Sequence, residues 1–198
     1  MCSRRTRPDS GGFLVPFVPR AAQHGVMHEQ VKMSSKMISF HVPKDSEILA
    51  AVGEIAIRHE QLNHILKMTV KSLTGVKPAE ALKATMYEGS AQLRDRVRKN
   101  ARKRLGEGAP LVKLQALLAD CKRLTDKRND LIHGLWAEET GNAQIRDAYG
   151  NSRPTPTIPE LRELADELDQ LTGRLNFVRL KGFLFQALSK TERSDEDA

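Results

Sequence analysis

A regular spacing of apolar residues between positions 48 and 73 constrains the fold of this chain more than any other feature. The positions alternate in steps of four and three, which places them on one face of a single helix. Asp45 or Ser46 can cap its start and Gly75 ends it. Such a helix would be roughly 45 Å long. Its predicted buried face consists of Ile48, Val52, Ile55, His59, Leu62, Leu66, Thr69 and Leu73.

The other helices are predicted by the same type of pattern. Apolar residues recur from Leu161 to Val178 and continue to Leu188, which predicts a last helix over about 159–188. Further helices are predicted over about 78–105, interrupted at Gly89 and with Leu82 and Met86 facing inward, and over about 111–133. The sequence therefore predicts an all-α helical bundle of four to five helices over residues 44–189. A small β-hairpin of 135–137 with 143–146 is predicted after the third helix.

Both ends of the chain lack this periodicity. Residues 1–43 contain several Arg, Pro and Gly residues and predict a basic, disordered leader. Residues 190–198 are polar and acidic and predict a flexible tail. Turn residues and three prolines between 138 and 159 predict a stiff connection before the last helix.

Charge and cysteine content restrict the partners and the compartment. The formal net charge of +7 favours an anionic partner, such as nucleic acid, a nucleotide or an acidic protein. Cys2 and Cys121 lack metal-ligand spacing, so we expect free thiols in a reducing cytoplasm, with Cys121 in the core. The apolar segment 13–18 is too short and too interrupted to predict a signal peptide or a membrane span. No nucleotide-binding glycine loop or zinc pattern occurs, so no cofactor or metal is expected.

The second predicted helix has a strongly basic second half. Two interpretations remain open for it: a solvated face, or a stripe that contacts the phosphates of RNA. No aromatic residue is interleaved, so base stacking from this helix is not expected. The basic residues are Arg94, Arg96, Arg98, Lys99, Arg102, Lys103 and Arg104.

Residues 126–136 form the stretch most suggestive of chemistry. Counting in threes and fours from Leu124, Arg128 lies on the apolar face of its helix, which turns the guanidinium toward the interior or an interface. Asn129 and His133 are four residues apart and can touch. Arg128 and His133 are five apart, about 140° around an ideal helix. We therefore expect that a bend, a cleft between helices or a second copy is needed to bring them to one site.

Two residues of the first helix leave alternatives open. His59 interrupts the apolar face, and we expect a core histidine with one hydrogen-bond partner, a functional role being the alternative. Glu60 is expected to be an ordinary solvated residue, the alternative being that it reaches toward the Arg128 segment.

The pattern Arg128-Asn129-x-x-x-His133, late in a helix of an all-helical domain of this size, resembles the signature of the HEPN superfamily. In that family an Arg, usually followed by a polar residue, precedes a His by four to six intervening residues. The resemblance covers residues 44–189 by helix layout and the motif alone by residue identity. Many members are metal-independent endoribonucleases, including toxins and phage-defence effectors, and others are nucleotide-binding or scaffold domains. Leu135 stands where toxins paired with a nucleotidyltransferase antitoxin often carry Tyr.

The resemblance implies a role for each motif residue. His133 would be the general acid/base, Arg128 would hold and neutralise the scissile phosphate, and Asn129 would orient them. The implied reaction is RNA cleavage that leaves 2′,3′-cyclic phosphate ends, in a cytoplasmic homodimer whose motif helices face each other. The implied partners are RNA, a second copy of the chain and, for a toxin, an antitoxin protein. Two alternatives stay open: a non-catalytic RNA- or nucleotide-binding module, and a dimeric helical scaffold in which Arg128 ties the core together.

Overall fold

Helices account for most of the chain. The computed structural model describes residues 38–40, 42–139, 142–147 and 150–196. In chain order the elements are β1 (Ile38–Phe40), α1 (Ser46–Thr74), α2 (Pro78–Ala84), α3 (Ser90–Leu105), α4 (Ala109–Ile132), β2 (Leu135–Glu139), β3 (Asn142–Arg146), β4 (Ser152–Pro154), α5 (Ile158–Leu180) and α6 (Phe183–Glu196). The fold is therefore mostly helical, with a small antiparallel sheet of four strands.

The long helix α1 confirms the predicted pattern. The Asp45 side chain caps its start by accepting hydrogen bonds from the backbone nitrogens of Glu47 and Ile48, at 2.8 and 3.3 Å. Gly75 ends it with a positive φ of 71°, a conformation that costs glycine little. The predicted face turns inward: six of its eight members are buried, and Ile48 and Val52 are half-buried at its start.

The core lies between α1 and the helices packed around it, principally α5, α3 and α4. It is built mainly from leucine, and the five leucines of α5 from Leu161 to Leu175 are all buried, as their spacing predicts. Cys121 lies in this core as a free thiol, as expected. Its burial raises the pKa of the thiol to about 12, so the group packs as a small apolar side chain.

Two predictions about the helices are wrong. The last helix is not continuous, because it ends at Leu180 and α6 begins at Phe183. The break centres on Gly182, where an added Cβ would lie 2.8 Å from the Cα of Val178, so the two backbones approach closely. Leu82 and Met86 were expected to face inward and are instead 37% and 56% exposed. The helix α2 spans only seven residues, of which Ala81 alone is buried.

The sheet extends beyond the predicted hairpin. The strands β2 and β3 pair antiparallel, with Leu135 opposite Arg146, and the strands β1 and β4 flank them, giving the order β1-β2-β3-β4. The all-α class is thus correct only for the greater part of the fold. The strand β1 lies in the predicted leader, whose residues 1–37 and 41 are outside the described residues. The helix α6 continues to Glu196, into the segment predicted as a tail.

No helix within the described ranges is both long enough and apolar enough to span a membrane.

Candidate functional site

The candidate site lies where α4 ends and β2 begins. The last helical residue is Ile132, and His133 follows as the C-cap, its backbone nitrogen still bonded to the carbonyl of Asn129 at 2.8 Å. Gly134 then makes a turn in which an added Cβ would overlap the Asp130 carbonyl oxygen and the Ile145 side chain. His133 is therefore fixed between the last turn of α4 and the sheet, and its side chain is exposed.

Arg128, Asn129 and His133 meet at this end of α4, and we call them the motif cluster. One guanidinium nitrogen of Arg128, Nη1, lies 3.1 Å from Asn129 Oδ1 and 3.4 Å from His133 Nε2. The structure thus brings Arg128 and His133 together within one chain. The expectation that a bend, a cleft between helices or a second copy is needed was wrong for two reasons. The helix stops just before His133, and the long arginine side chain reaches around its end.

The contact between Arg128 and His133 defines what each group can do. A guanidinium can only donate hydrogen bonds, so His133 Nε2 is the acceptor and carries a lone pair toward Arg128. The lone pair that accepts from Arg128 is also the position at which the imidazole can take up a proton. The cluster therefore combines a base, a fixed positive charge and an amide within hydrogen-bonding range.

Arg128 joins this exposed cluster to the protein interior. Its side chain is half-buried, and its Nε atom is buried without a hydrogen-bond partner in the part of the chain that the structure describes. A buried unpaired donor costs roughly 1–3 kcal/mol. The prediction that Arg128 lies on the inward face of α4 agrees with this placement.

Five polar side chains lie behind the motif cluster, and we call them the polar layer. They come from three helices: His59 and Asn63 from α1, Ser90 and Arg94 from α3, and Thr125 from α4. Four of the five are buried, and Ser90 is half-buried. Thr125 is three residues before Arg128 and four before Asn129, so the polar layer and the motif cluster occupy successive turns of one face of α4.

His59 lies at the centre of the polar layer. Its Nε2 atom is 3.3 Å from Thr125 Oγ1 and 3.2 Å from Ser90 Oγ, which gives it two partners rather than the one expected. The pKa of His59 is lowered to about 4, and burial is the largest cause. The charges of Arg128 and, to a smaller extent, Arg94 also lower this pKa, whereas the charge of Glu60 raises it. His59 is consequently neutral at physiological pH.

Glu60 stays at the surface, as the solvated interpretation expects. It accepts a hydrogen bond from Asn63 Nδ2 at 3.1 Å, and one of its oxygens is 3.9 Å from Lys67 Nζ. Glu60 therefore supports the outer edge of the polar layer.

The basic residues of α3 separate into inward and outward groups. Arg94 is 8% exposed and donates to Thr125 Oγ1 at 3.3 Å, so it does not lie on the solvent-facing stripe predicted for it. Arg96 forms a two-pronged bond with Glu88, and Arg104 is half-buried. The exposed cations are Arg98, Lys99, Arg102 and Lys103. Of these, Arg98 bonds Asp95 at 2.6 Å and Arg102 bonds Glu107 at 2.9 Å.

The members of the polar layer other than His59 were missed as site residues or given another role. Arg94 was grouped with the basic run, although Val97 and Ala101 follow it at helical spacing and share its buried face. Thr125 stands four residues after Cys121 and three before Arg128, on the inward face of α4. Ser90 does not cap α3 with its side chain, and its hydroxyl contacts His59 and Asn63 instead. The helical spacings of Arg94 and Thr125 are the sequence signal that places both residues on buried helix faces.

Comparisons with other proteins add no evidence on the family. No family model, curated protein or solved structure matches the chain. Among the described residues, no group of three or more His, Cys, Asp or Glu side chains is placed to hold a metal ion. The functional argument therefore depends on the geometry of the motif cluster and its surroundings.

Proposed function

We propose that the protein is a metal-independent endoribonuclease of the HEPN type, acting as a toxin or phage-defence effector. The observation that supports this most is the contact of Arg128 Nη1 with both Asn129 and His133 at an exposed helix end. A base, a fixed cation and an orienting amide are the groups that cleavage through the ribose 2′-OH requires.

His133 begins the proposed reaction. Arg128 Nη1 turns from His133 to the phosphate, which frees the lone pair on His133 Nε2 to take the proton of the 2′-OH. The resulting oxygen attacks the adjacent phosphorus. Arg128 offsets the extra charge on the phosphorane, and its planar guanidinium suits two phosphate oxygens at once. Asn129 holds the guanidinium in place. The bond to the 5′ oxygen then breaks, and the proton returns to that oxygen, leaving a 2′,3′-cyclic phosphate and a 5′-OH end.

The exposed cations of α3 provide a surface for the RNA backbone. Arg98, Lys99, Arg102 and Lys103 lie on the same helix as Arg94, one to three turns beyond it. Arg94 in turn contacts Thr125, one turn from the motif cluster. In the proposed enzyme this surface attracts RNA without regard to sequence. The proposed active form is a homodimer whose two α4 ends face each other, and for a toxin the further partner is an antitoxin protein.

The test is cleavage of a structured RNA by purified protein in EDTA, with the product ends mapped. His133→Ala is compared with the wild type, and His64→Ala is the matched control because His64 is an exposed histidine on α1. We expect the wild type and His64→Ala to cut and to leave cyclic phosphate ends. Loss of a general base typically costs about 10²–10⁴-fold in rate, so His133→Ala should show almost no cutting.

RNA affinity and oligomeric state are measured on the same samples. His133→Ala should keep wild-type RNA affinity and the same sedimentation behaviour, because an exposed C-cap side chain contributes little to packing. If wild type and variant both bind RNA and neither cuts it, the protein is a binding module. If neither binds RNA and both are folded dimers, the scaffold alternative replaces the enzyme.

A further inference from the structure

His59 is a buried histidine with no part in the chemistry proposed above. We propose that it is a positioning residue, which fixes Thr125 and, one turn further along α4, the motif cluster. This inference rests on the proposed function, since it assigns to His59 the positioning of the residues that carry out the proposed cleavage.

The hydroxyl groups of Thr125 and Ser90 both donate their protons to groups other than His59. Thr125 Oγ1 donates to the backbone carbonyl of Cys121 at 2.7 Å, and Ser90 Oγ donates to Asn63 Oδ1 at 2.6 Å. Each hydroxyl has one proton, so both oxygens must be acceptors toward His59. The single proton on His59 Nε2 is therefore shared between Thr125 and Ser90.

Thr125 has no hydrogen-bonding capacity left. It donates once, to Cys121, and accepts from His59 Nε2 and from Arg94 Nη1, both at 3.3 Å. A hydroxyl has one proton and two lone pairs, so these three contacts satisfy it completely. A saturated side chain that joins α1, α3 and α4 has little freedom to change rotamer, which fixes this turn of α4.

Two residues of the motif cluster, Arg128 and Asn129, lie on the turn of α4 that follows Thr125. Arg128 and Asn129 lie three and four residues after Thr125, so all three side chains share one face of α4. The Nε atom of Arg128 is buried, and the charge of Arg128 helps to lower the pKa of His59, so the guanidinium lies near the polar layer. Any rearrangement of the polar layer at Thr125 would therefore disturb the packing of the Arg128 side chain and, with it, the position of the guanidinium relative to His133.

The charges around His59 also favour a neutral ring that donates from Nε2. His59 is flanked by the positive charges of Arg94 and Arg128, with only Glu60 opposing them. The neutral ring can lie beside both cations, whereas an imidazolium would repel them. The proton on Nε2 supplies a donor without adding a third positive charge, which an arginine or a lysine at this position could not do.

The test uses variants that differ in this donor. His59→Leu removes it while keeping an apolar side chain of similar size, and His59→Gln restores an uncharged N–H donor near the Nε2 position. We expect His59→Leu to lower kcat by about 10- to 100-fold with KM within about twofold of the wild type, since small misplacements cost rates of this size. His59→Gln should recover to within about threefold of the wild type. His64→Leu, on the exposed side of α1, is the control.

A second pair of measurements keeps the inference falsifiable. Thr125→Val preserves shape, so it carries the test if His59→Leu does not fold, and a His59→Leu/Thr125→Val double variant should be no slower than the slower single variant. The imidazole ¹⁵N shifts of His133 report its environment without any cleavage. They should change in His59→Leu and return toward wild-type values in His59→Gln.

The outcomes separate the inference from the proposed function. If the wild type cuts and His133→Ala does not, then wild-type kcat in a folded His59→Leu overturns the positioning role alone. Equal losses in His59→Leu and His59→Gln also overturn it, because the donor would then be irrelevant. If the wild type does not cut at all, the proposed function fails. The His133 shifts then decide the positioning role: unchanged shifts in folded His59→Leu refute it.

Discussion

Arg128 has one end in the interior and the other at the exposed motif cluster. Its buried Nε lacks a partner within the described ranges, while its Nη1 contacts Asn129 and His133. The buried Nε carries an uncompensated desolvation cost, while the charged head of the same side chain contacts His133 at the surface.

The low pKa of His59 makes stability depend on pH. The folded-state pKa is about 4, and the ordinary pKa of histidine is 6.5, so between these values the unfolded chain binds more protons than the folded one. The free energy of unfolding should therefore fall as pH drops from about 6.5 toward 4, by up to roughly 3 kcal/mol from His59. Above about pH 7 both states are neutral at this group, and the contribution vanishes.

Denaturant unfolding of wild type and His59→Gln across pH 4–7 measures this effect. Other titrating groups contribute to both proteins and cancel in the difference. We expect the difference in unfolding free energy, wild type minus variant, to become steadily less favourable to the wild type as pH decreases. A difference that does not vary with pH would mean that His59 is neither buried nor neutral as described.

The end of α4 is the element on which the site depends. Gly134 lies in a space bounded by the Asp130 carbonyl and the Ile145 side chain. We expect Gly134→Ala to lower the unfolding free energy by about 1–3 kcal/mol, because the added methyl group must push the helix end and the strand β3 apart. It should also reduce cleavage in the protein that remains folded, since His133 is the adjacent residue.

Thermal melts and cleavage assays on Gly134→Ala measure the two effects. Gly53→Ala is a suitable control, because Gly53 is an exposed glycine within α1 whose added Cβ meets nothing within 4 Å. Alanine there should be neutral or stabilising. If Gly134→Ala has the melting temperature and the cleavage rate of the wild type, the close approach at the end of α4 matters for neither stability nor cleavage.

Among the secondary-structure elements, the spacing of apolar residues predicted those that are long enough to contain several repeats of the pattern. It located α1 with both of its ends, the buried leucines of α5 and the central hairpin of the sheet. It did not reveal the flanking strands, because strands of three residues such as β1 and β4 have no measurable period. The break at Gly182 also escaped, since apolar spacing continues across it.

The site was only partly accessible to sequence reasoning for a different reason. Arg128, Asn129 and His133 are neighbours in sequence, so their motif is visible. The polar layer combines residues up to 66 positions apart, from His59 to Thr125, and such contacts depend on how helices pack. Arg94 shows the difficulty most clearly. It is the buried member of a basic run, and its burial depends on which face of α3 packs against α1 and α4.

The whole molecule combines a buried polar layer with a basic exterior on α3. Lys99 and Lys103 are four residues apart and both exposed, so both can contact one RNA backbone. We expect a Lys99→Ala/Lys103→Ala variant to bind RNA more weakly, with little dependence on RNA sequence. The slope of log K against log salt should decrease by roughly 1.4–1.8, for two lost phosphate contacts.

Fluorescence anisotropy at several salt concentrations measures this slope. The variants are made in the His133→Ala background, so that the RNA stays intact during the titration. Lys83→Ala is the control, because Lys83 is an exposed lysine of α2. A Lys99→Ala/Lys103→Ala slope equal to that of the control would place the RNA on another surface.

Trp136 gives the protein an optical probe of its own site. It is the single tryptophan of the chain, it stands three residues after His133, and its indole nitrogen donates to the carbonyl of Leu131 in the last turn of α4 at 3.1 Å. Emission from this indole therefore comes from the site alone, and no label is needed to observe it. Local rearrangement of the helix end becomes visible as a spectral change in the unmodified protein, on the timescale of rapid mixing.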